Sequence, residues 1–314
     1  MNHTAAGHAH QPVLLEEAVT RLAVRADGVY VDATYGRGGH SREILRHLGA
    51  EGRLIAMDRD PQAVAAAQME WSGDGRVTVQ RGAFSMLERV AQQHGVCGQV
   101  NGVLLDLGIS SAQLDDAQRG FSFLRDGPLD MRMDPESGDS AAHWLKRATP
   151  AEIVAVIQRY GEERFARRIA RAIVAARERT PITRTQQLAD IVSAAVPTRE
   201  RRKHPATRTF QALRIYVNRE LDELAECLDQ CLGVLAPGGR LVVISFHSLE
   251  DRLVKRFMRG HAHVAAPDPK APWLSPTTRP SLKLVAKPTR PQSAEIEHNP
   301  RARSAVLRAA ERLA

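Results

Sequence analysis

The stretch VYVDATYGRGGHS, residues 29–41, decides the fold predicted for this chain. Its first part, Val29–Asp32, is rich in β-branched and aromatic residues and predicts a short strand that ends in an acid. Glycines follow at positions 36, 38 and 39, and apolar residues with helical spacing then occupy Ser41–Leu48. A strand, a glycine-rich turn and a helix in this order are typical of a parallel α/β sheet, with the turn at the edge that binds ligands.

The same alternation of short apolar runs and helical patterns continues as far as Asp106. Three further strands and two further helices are predicted here: strands at Arg53–Met57, Val77–Gln80 and Gly102–Leu105, and helices at Pro61–Met69 and Phe84–His94. Strands that alternate with helices in this way predict an α/β fold with a doubly wound parallel sheet.

After Asp106 the pattern is helical, with no strand-like segment before residue 240. Four helices are predicted at Ala151–Gln158, Glu162–Arg177, Thr185–Val196 and Thr207–Leu235. Pro237-Gly238-Gly239 is expected to end the last of them, and strands are expected at Arg240–Ser245 and Ser304–Arg312. The predicted domains are therefore 1–112, an inserted all-helical domain at 113–212, and 213–314 with a basic, proline-rich, loosely docked arm at about 267–291.

Composition narrows the class of protein. The 314 residues are 43% hydrophobic and 25% charged, which is typical of a globular chain. Cys97, Cys227 and Cys231 are too few for a disulfide framework and have no zinc-site spacing, so we expect no metal. Neither a secretory signal nor an apolar run of membrane-spanning length is present, which favours a cytoplasmic protein without a membrane partner.

Positive charge is concentrated in the middle of the chain. Residues 140–219 carry 17 basic and 6 acidic side chains, whereas the whole chain has a net charge of +8. Clustered arginine suits phosphate binding, because the guanidinium fork matches phosphate oxygens and each contact releases counterions. A nucleic-acid surface and a merely solvated helical face both remain open on this observation.

The strand ends supply the candidate site residues. Asp58 ends the second strand, where an acid can accept both hydroxyl groups of a ribose, and Asp106 ends the fourth. Ser41 stands where a dinucleotide fingerprint would need its third glycine, which disfavours a pyrophosphate-binding turn. Other interpretations remain: Asp58 as a helix-start acid, Asp106 as a turn acid and His40 as a first-turn helix residue.

Seven motifs in this order resemble the MraW family, the bacterial ribosomal RNA small subunit methyltransferases H, over Pro12 to Arg312. They are VDATYGRGGHS at 31–41, MDRDP at 57–61, LLDLGISS at 104–111, RGFSF at 119–123, DMRMD at 130–134, HPATRTFQ at 204–211 and SFHSLED at 245–251.

The resemblance implies a Rossmann-like S-adenosylmethionine methyltransferase sheet with an inserted helical domain. It implies methylation of N4 of a cytidine in the decoding centre of 16S rRNA, with the 30S subunit rather than DNA as partner; a weak homodimer is left open. The cofactor contacts that it implies are Gly38, Gly39, His40, Asp58, Phe84, Asp106 and Gln113. Phe84 also fits the first core residue of the third predicted helix.

Methyl transfer from a sulfonium is an in-line displacement, so we expect no covalent enzyme intermediate, and the protein chiefly supplies positioning. The amine of cytosine needs an acceptor that holds an N–H. The Asn/Asp-Pro-Pro-aromatic turn common in amino methyltransferases is replaced here by Asp106-Leu107-Gly108-Ile109-Ser110-Ser111. Asp106 and the carbonyls of this loop are therefore the catalytic candidates.

Candidate RNA contacts combine aromatic side chains, which can stack on an unpaired base, with basic ones. They are Phe121, Phe123, Arg199, Arg201, Arg202, Lys203, Arg208, Arg214 and His247, with Arg164, Arg167, Arg168 and Arg171 on one predicted helix side. Phe121 and Phe123 would equally suit packing at the domain boundary, and Ser248 with Asp251 would form a helix cap beside His247.

The acceptor atom can be narrowed by chemistry. Methylation at cytosine C5 would ordinarily need a cysteine nucleophile, and none of the three cysteines is suitably placed. Ribose methylation generally uses a lysine, and the strand-end loops carry none. An amine is therefore favoured. Two other functions remain for comparison: a nicotinamide-dependent oxidoreductase, disfavoured by Ser41, and a non-catalytic RNA-binding protein of ribosome assembly.

Overall fold

The computed structural model describes residues 12–197, 204–263 and 279–314. The chain forms two compact units. One consists of the residues up to Gly108 together with those from Glu223 onward, and the other is Ile109–Asp222. The second unit is thus inserted into the sequence of the first, and its bounds are somewhat wider than the predicted 113–212.

The first unit is built on a seven-stranded sheet. Its strands β1 to β7 are Val29–Asp32, Arg53–Asp58, Val77–Arg81, Val100–Asp106, Leu235–Ser245, Leu282–Leu284 and Val306–Arg312. Their order is β3-β2-β1-β4-β5-β7-β6, with β1 to β5 parallel and with β7 antiparallel to both β5 and β6. The predicted α/β fold class is confirmed, and the strand order reverses beside β1, where open sheets of this type bind ligands.

Thirteen α-helices occur in the described residues. Helices α1 to α13 are Leu15–Leu22, Gly39–His47, Pro61–Glu70, Leu87–Gln93, Ser111–Asp115, Ala141–Arg147, Pro150–Gly161, Ala166–Arg177, Thr185–Ala195, Thr207–Val217, Glu220–Val234, Ser248–Ala262 and Ser293–His298. In the described part of the chain, none is both long and apolar enough to cross a membrane.

Helices cover the sheet on both faces, because successive strand residues point to opposite sides. In β5, Leu241 and Val243 join the buried cluster formed with α4, α11 and α12. Val242 and Ile244 join the cluster formed with α1 and α2 on the other face. The near-continuous apolar strands of the sequence are explained by this two-sided burial.

The predicted helix Thr207–Leu235 is wrong in one respect: it is two helices, α10 and α11, separated by Asn218 and Arg219. Arg219 has a φ of +52°, which few non-glycine residues adopt. Asn218 is buried, its amide nitrogen donates to the Met131 carbonyl at 2.7 Å, and its Oδ1 accepts the Met133 N–H at 2.7 Å. Hydrogen bonds from a distant segment therefore interrupt an apolar pattern that would otherwise continue.

Three other element boundaries also differ from the prediction. The helix predicted from Glu162 begins only at Ala166, because Glu162 itself ends α7 with a φ of +50°. Pro237-Gly238-Gly239 lies inside β5 rather than in a turn, at an irregular register opposite β4. The end of the predicted arm at 279–291 belongs to the sheet through β6, whereas 267–278 lie outside the described residues.

Candidate active site

Three aspartates end three neighbouring strands of the first unit: Asp32 on β1, Asp58 on β2 and Asp106 on β4. The parallel register aligns Asp32 with Ala56 and Leu104, so the three carboxyl groups belong to one edge of the sheet. Sequence reasoning identified Asp58 and Asp106 but missed Asp32. The signal was available, since Asp32 is also an acid at a strand end and directly precedes the glycine-rich turn.

Asp58 fixes the glycine-rich loop to the end of β2. Its Oδ2 accepts the Gly36 N–H and its Oδ1 accepts the Asp60 N–H, both at 2.8 Å. Burial raises the pKa of Asp58 to about 6, although the two N–H groups oppose this change. The helix cap of α3 is Asp60, which accepts the Gln62 N–H, so the interpretation of Asp58 as a helix-start acid is not supported.

The loop glycines are required by packing within the protein. Gly38 has a φ of +72°, and a Cβ there would lie 2.4 Å from the Tyr35 hydroxyl oxygen. A Cβ on Gly39 would lie 2.0 Å from Cγ of Pro12. Ser41, which replaces the third glycine of a dinucleotide motif, donates from Oγ to Asp32 Oδ2 at 2.6 Å. The tight turn itself therefore requires these residue types, in addition to any requirement that a ligand imposes.

A polar network that sequence reasoning missed supports the loop from one side. The Tyr35 hydroxyl donates to Glu70 Oε2 at 2.7 Å and accepts from Trp71 Nε1 at 3.2 Å. Arg42 donates to the other oxygen of Glu70 at 2.5 Å. Burial and the hydrogen bond to Glu70 raise the pKa of Tyr35. The partners come from α2, α3 and the residue after α3, so no local pattern predicts their meeting.

His40 is buried in the first turn of α2, with 5% of its surface exposed. Its Nε2 lies 3.2 Å from the Val13 carbonyl oxygen, and its Nδ1 lies 3.6 Å from Asp106 Oδ2. Burial lowers the pKa of His40 to about 4, so the ring is neutral near pH 7. His40 and Asp106 are therefore not an ion pair, even though their polar atoms are close.

Asp106 is the acid that its surroundings perturb most. Burial, followed by the negative charges of Asp32 and Glu250, raises the pKa of Asp106 well above its ordinary value. Its backbone N–H donates to Thr34 Oγ1 at 2.6 Å. Its Oδ1 is buried and has no hydrogen-bond partner among the residues that the structure describes. A buried carboxyl oxygen without a partner suits the binding of a donor from a ligand.

Phe84 lies just beyond β3, where it begins a 3-10 turn, Phe84–Met86, rather than the predicted helix. Its ring is half-buried and packs against the core cluster on the α4 side of the sheet. The Gly82 N–H, two residues earlier, donates to the Asp58 carbonyl at 2.9 Å and joins this turn to the end of β2. The core interpretation of Phe84 is therefore supported, while one part of the ring stays exposed.

In the inserted unit, Gln113 and the two predicted aromatic contacts have structural partners. The Gln113 side chain accepts the Ser110 N–H at 3.0 Å in the capping box of α5. Phe121 is 7% exposed and thus part of the core. The Phe123 ring lies 4.8 Å from the Phe210 ring, edge-on. Packing therefore accounts for Phe121, and only Phe123 is partly accessible for stacking.

The predicted basic contacts divide into four groups. Arg214 forms a bidentate salt bridge with Glu220, with both contacts at 2.8 Å. Its side chain is only 15% exposed, so the prediction of Arg214 as an RNA contact is not supported. Arg208 is half-buried, 4.0 Å from Glu163. Four further predicted contacts lie outside the described residues: Arg199, Arg201, Arg202 and Lys203. Four arginines in or just before α8 are exposed: Arg164, Arg167, Arg168 and Arg171.

His247 caps α12 in the first unit. Its Nδ1 accepts the Glu250 N–H at 3.4 Å, and Glu250 in turn accepts the His247 N–H at 3.2 Å. The predicted cap pair of Ser248 and Asp251 is wrong, because the helix begins one residue earlier and Asp251 pairs with Arg308 at 2.7 Å. The His247 side chain therefore has a structural role as the N-cap of α12, and only 11% of it is exposed for an RNA contact.

The inserted unit also contains an aromatic cavity that sequence reasoning missed. It has a volume of about 360 Å3, and its lining includes Trp144, Tyr160 and Tyr216. The ring centres of Trp144 and Tyr216 are 4.6 Å apart. Arg147, which pairs with Asp139, also lines it. Aromatic faces beside charged groups suit a planar, polar ligand such as a nucleobase.

Comparison with known proteins identifies relatives over nearly the whole chain. The model of the MraW methylase family matches residues 7–313. Three proteins named ribosomal RNA small subunit methyltransferase H are similar to this chain. That of Thioalkalivibrio sulfidiphilus is 59% identical and covers 98% of each chain. That of Coxiella burnetii is 57% identical, covering 97% of this chain and 99% of its own, and that of Shewanella amazonensis is 55% identical, covering 97% and 98%.

Proposed function

Because the chain belongs to the MraW methylase family, we propose that it methylates N4 of a decoding-centre cytidine in 16S rRNA, acting on the small ribosomal subunit in the cytoplasm. S-adenosylmethionine is the methyl donor. The observation that carries the proposal concerns Asp106. This buried acid lies at the sheet edge that also carries the glycine-rich loop, and its Oδ1 has no hydrogen-bond partner in the described part of the chain.

The residues at this edge fit the proposed donor. S-adenosylmethionine supplies a methyl group made electrophilic by its sulfonium charge. Each carboxylate oxygen of Asp58 accepts one backbone N–H. Each oxygen has a second lone pair, which can accept a hydrogen bond from a ribose hydroxyl. The negative charge that Asp32, Asp58 and Asp106 can carry complements a cation. We retain Gly38, Gly39, Phe84 and Gln113 among the other contacts implied by the resemblance, whereas we assign His40 a different role.

Asp106 is the proposed catalytic residue. The cytosine amine is a poor nucleophile, because its lone pair is delocalised into the ring. An N–H of this amine that donates to Asp106 Oδ1 would orient the nitrogen and satisfy the unpartnered oxygen. Transfer is then direct and in-line, since the donor already has a good leaving group and no protein nucleophile is required.

The positions of the cysteines support an amine over the ring carbon C5. Cys227 and Cys231 belong to α11 and are fully buried in the core cluster between this helix and the sheet. Cys97 precedes β4, at the opposite end of that strand from Asp106. A thiolate that adds to the cytosine ring would have to stand at the same strand edge as the donor. None of the three thiols does.

The inserted unit supports RNA as the substrate. The exposed arginines of α8 provide guanidinium groups for phosphate oxygens. Of the aromatic side chains that line the cavity, Trp144 and Tyr160 are buried, whereas Tyr216 is 37% exposed and provides a ring on which an unpaired base can stack. A nicotinamide-dependent oxidoreductase would need neither feature.

Labelled methyl transfer tests the proposal. Small ribosomal subunits that lack the modification are incubated with the chain and donor labelled in its methyl group. We expect label in 16S rRNA with the wild type and a loss of at least about a hundredfold with Asp106→Ala, if Asp106 orients and deprotonates the amine. The matched variant Asp27→Ala, at an exposed carboxylate elsewhere in the same unit, should keep full activity. Donor binding without any transfer would instead indicate a non-catalytic assembly protein.

A further inference from the structure

The hydrogen bond to Val13 fixes which nitrogen of His40 carries its hydrogen. A carbonyl oxygen can only accept, so the Nε2 that lies 3.2 Å from the Val13 oxygen is the protonated nitrogen. The ring is buried and neutral near pH 7, so it has one N–H only. Nδ1 therefore presents a lone pair, and the atom that it faces at 3.6 Å is Asp106 Oδ2.

The surroundings of Asp106 favour its protonated form. The ionisable groups that act on its carboxyl come from three elements: Asp32 at the end of β1, Glu250 in the first turn of α12 and His40 in α2. Two of these are acids and the third is a neutral ring that offers a lone pair. A carboxyl O–H on Asp106 could donate to Nδ1. If the carboxyl group were ionised, Asp106 Oδ2 and His40 Nδ1 would both be acceptors, with no hydrogen between them.

We propose that His40 is a positioning residue for proton transfer: through its Nδ1 lone pair it holds the acid form of Asp106 after Asp106 takes the proton released by the methylated amine. This role rests on the proposed function and deepens it. It also differs from the direct donor contact that the family resemblance implies for His40.

The proton accounting is simple. As the amine nitrogen bonds to the methyl carbon, the sulfur keeps the electron pair of the broken C–S bond, and the nitrogen must release one proton. The Asp106 carboxylate, ionised beside the positively charged donor, accepts this proton and becomes neutral. The proton lies at first on Oδ1, where the amine was bound, and a half-turn of the carboxyl group about its Cβ–Cγ bond brings the O–H to His40 Nδ1 in place of Oδ2. There the O–H donates to Nδ1, and the proton passes to water when the products leave.

The distance is compatible with this role. A hydrogen bond between these atoms needs a separation of about 2.7–3.0 Å, less than 1 Å shorter than the one observed. Hydrogen bonds of a catalytic site are often long without a substrate and shorten in the complex. Nε2 remains bonded to Val13, so the ring has a fixed orientation while the carboxyl moves.

Nitrogen NMR of the full chain tests the first step without any reaction. The histidines are labelled with 15N, and the His40 signals are assigned by their disappearance in His40→Gln. We expect a neutral ring with hydrogen on Nε2 throughout the range from pH 8 to pH 5. Hydrogen on Nδ1, or a charged ring at pH 7, would overturn the proposal.

Two variants test the second step. In His40→Gln the amide can donate to Val13 and accept from Asp106, whereas His40→Leu can do neither. We expect His40→Leu to lose about tenfold or more in kcat. The acid limb of its pH profile should move to lower pH, because the hydrogen bond that stabilises neutral Asp106 is gone. His40→Gln should keep the acid limb in place and most of kcat.

Calorimetry with S-adenosylmethionine separates this role from a donor contact. We expect unchanged donor affinity in both variants. If His40→Leu binds the donor more weakly while kcat and the acid limb stay as in the wild type, His40 is a donor contact and the proposal is wrong. If His40→Leu does not fold, the pH profile of His40→Gln and the NMR result decide. Failure of the proposed function looks different, because the wild type itself would then transfer no methyl group.

Discussion

At the scale of single residues, Asp58 is proposed to bind the ribose of the donor and it also holds the glycine-rich loop. One substitution should therefore change both donor affinity and stability. We expect Asp58→Ala to lose most of its affinity for S-adenosylmethionine, measured by calorimetry, because a charge-assisted acceptor for the ribose is removed. It should also lower the free energy of unfolding by about 1–3 kcal/mol, measured with urea, because the Gly36 and Asp60 N–H groups lose their acceptors.

Asp60→Ala is the matched control for this prediction. It removes the cap of α3 and should cost about 1 kcal/mol of stability. Donor affinity should not change, since Asp60 points into the helix terminus. Unchanged donor affinity in Asp58→Ala would remove Asp58 from the site, whatever its effect on stability.

Asp32 gives a prediction about pH. Burial raises its pKa to about 6 from 3.8, so between these values the folded chain holds a proton that the unfolded chain has released. The contribution of Asp32 to the free energy of unfolding therefore falls as pH rises through this window. Above it the full cost of the buried charge remains, on the order of 1–3 kcal/mol.

We expect Asp32→Asn to gain stability relative to the wild type at about pH 7.5 and to gain less at about pH 4, in urea unfolding at both values. The amide oxygen can still accept from Ser41, whereas the amide nitrogen cannot accept the Thr34 N–H that now bonds to Oδ1 at 3.2 Å. That loss is the same at both pH values, so the difference between the two measurements reports the carboxyl group. Asp27→Asn, at an exposed carboxylate, should show no such difference. An equal effect of Asp32→Asn at the two pH values would contradict a raised pKa.

Residue patterns predicted the strand-end acids because a parallel sheet brings successive strand ends together. Asp58 and Asp106 could be identified in this way, and Asp32 by the same logic. The Tyr35–Glu70–Trp71 network could not, because its members meet only when α3 packs beside the loop. The packing of Gly39 against Pro12 likewise depends on a contact between distant segments.

At the scale of elements, the break between α10 and α11 shows how tertiary hydrogen bonds override periodicity. The apolar spacing of Phe210, Leu213, Val217, Leu221 and Leu224 continues across the break, so the sequence predicts one helix. Nothing local marks Asn218 as a stop. Its role follows from the Met131 and Met133 backbone groups that it satisfies.

Asn218→Ala should therefore be strongly destabilising. It leaves the Met131 carbonyl and the Met133 N–H buried without their partner, and we expect a decrease of about 2–4 kcal/mol in the free energy of urea unfolding. Gln211→Ala in the same helix is the control, because it removes one half-buried bond to the Tyr160 carbonyl and should cost about 1 kcal/mol. Equal costs for the two variants would mean that the buried amide does not maintain the break.

At the scale of the whole molecule, the surface charge of the inserted unit is expected to affect RNA binding and to leave donor binding unchanged. Arg167, Arg168 and Arg171 are exposed on α8 of the inserted unit. Changing all three to Glu should weaken binding to small subunits and reduce its salt dependence by about one unit of slope for each phosphate that an arginine no longer neutralises. Affinity for S-adenosylmethionine should stay as in the wild type.

The control makes the same change of charge in the first unit, at three exposed arginines: Arg53, Arg89 and Arg303. Subunit binding by filter retention over a series of salt concentrations compares the two triple variants. If both weaken binding equally, only net charge matters and the inserted unit has no special role. The predicted RNA contacts Arg199, Arg201, Arg202 and Lys203 can be tested by the same assay.

The central claim is that the chain transfers a methyl group to an exocyclic amine of 16S rRNA. Nucleoside mass spectrometry tests it most directly, after small subunits lacking the modification are incubated with the chain and labelled S-adenosylmethionine. We expect the label in N4-methylcytidine, and we expect no label there when Asp106→Ala replaces the wild type. Label on a ribose or on cytosine C5, with none on N4, would contradict it.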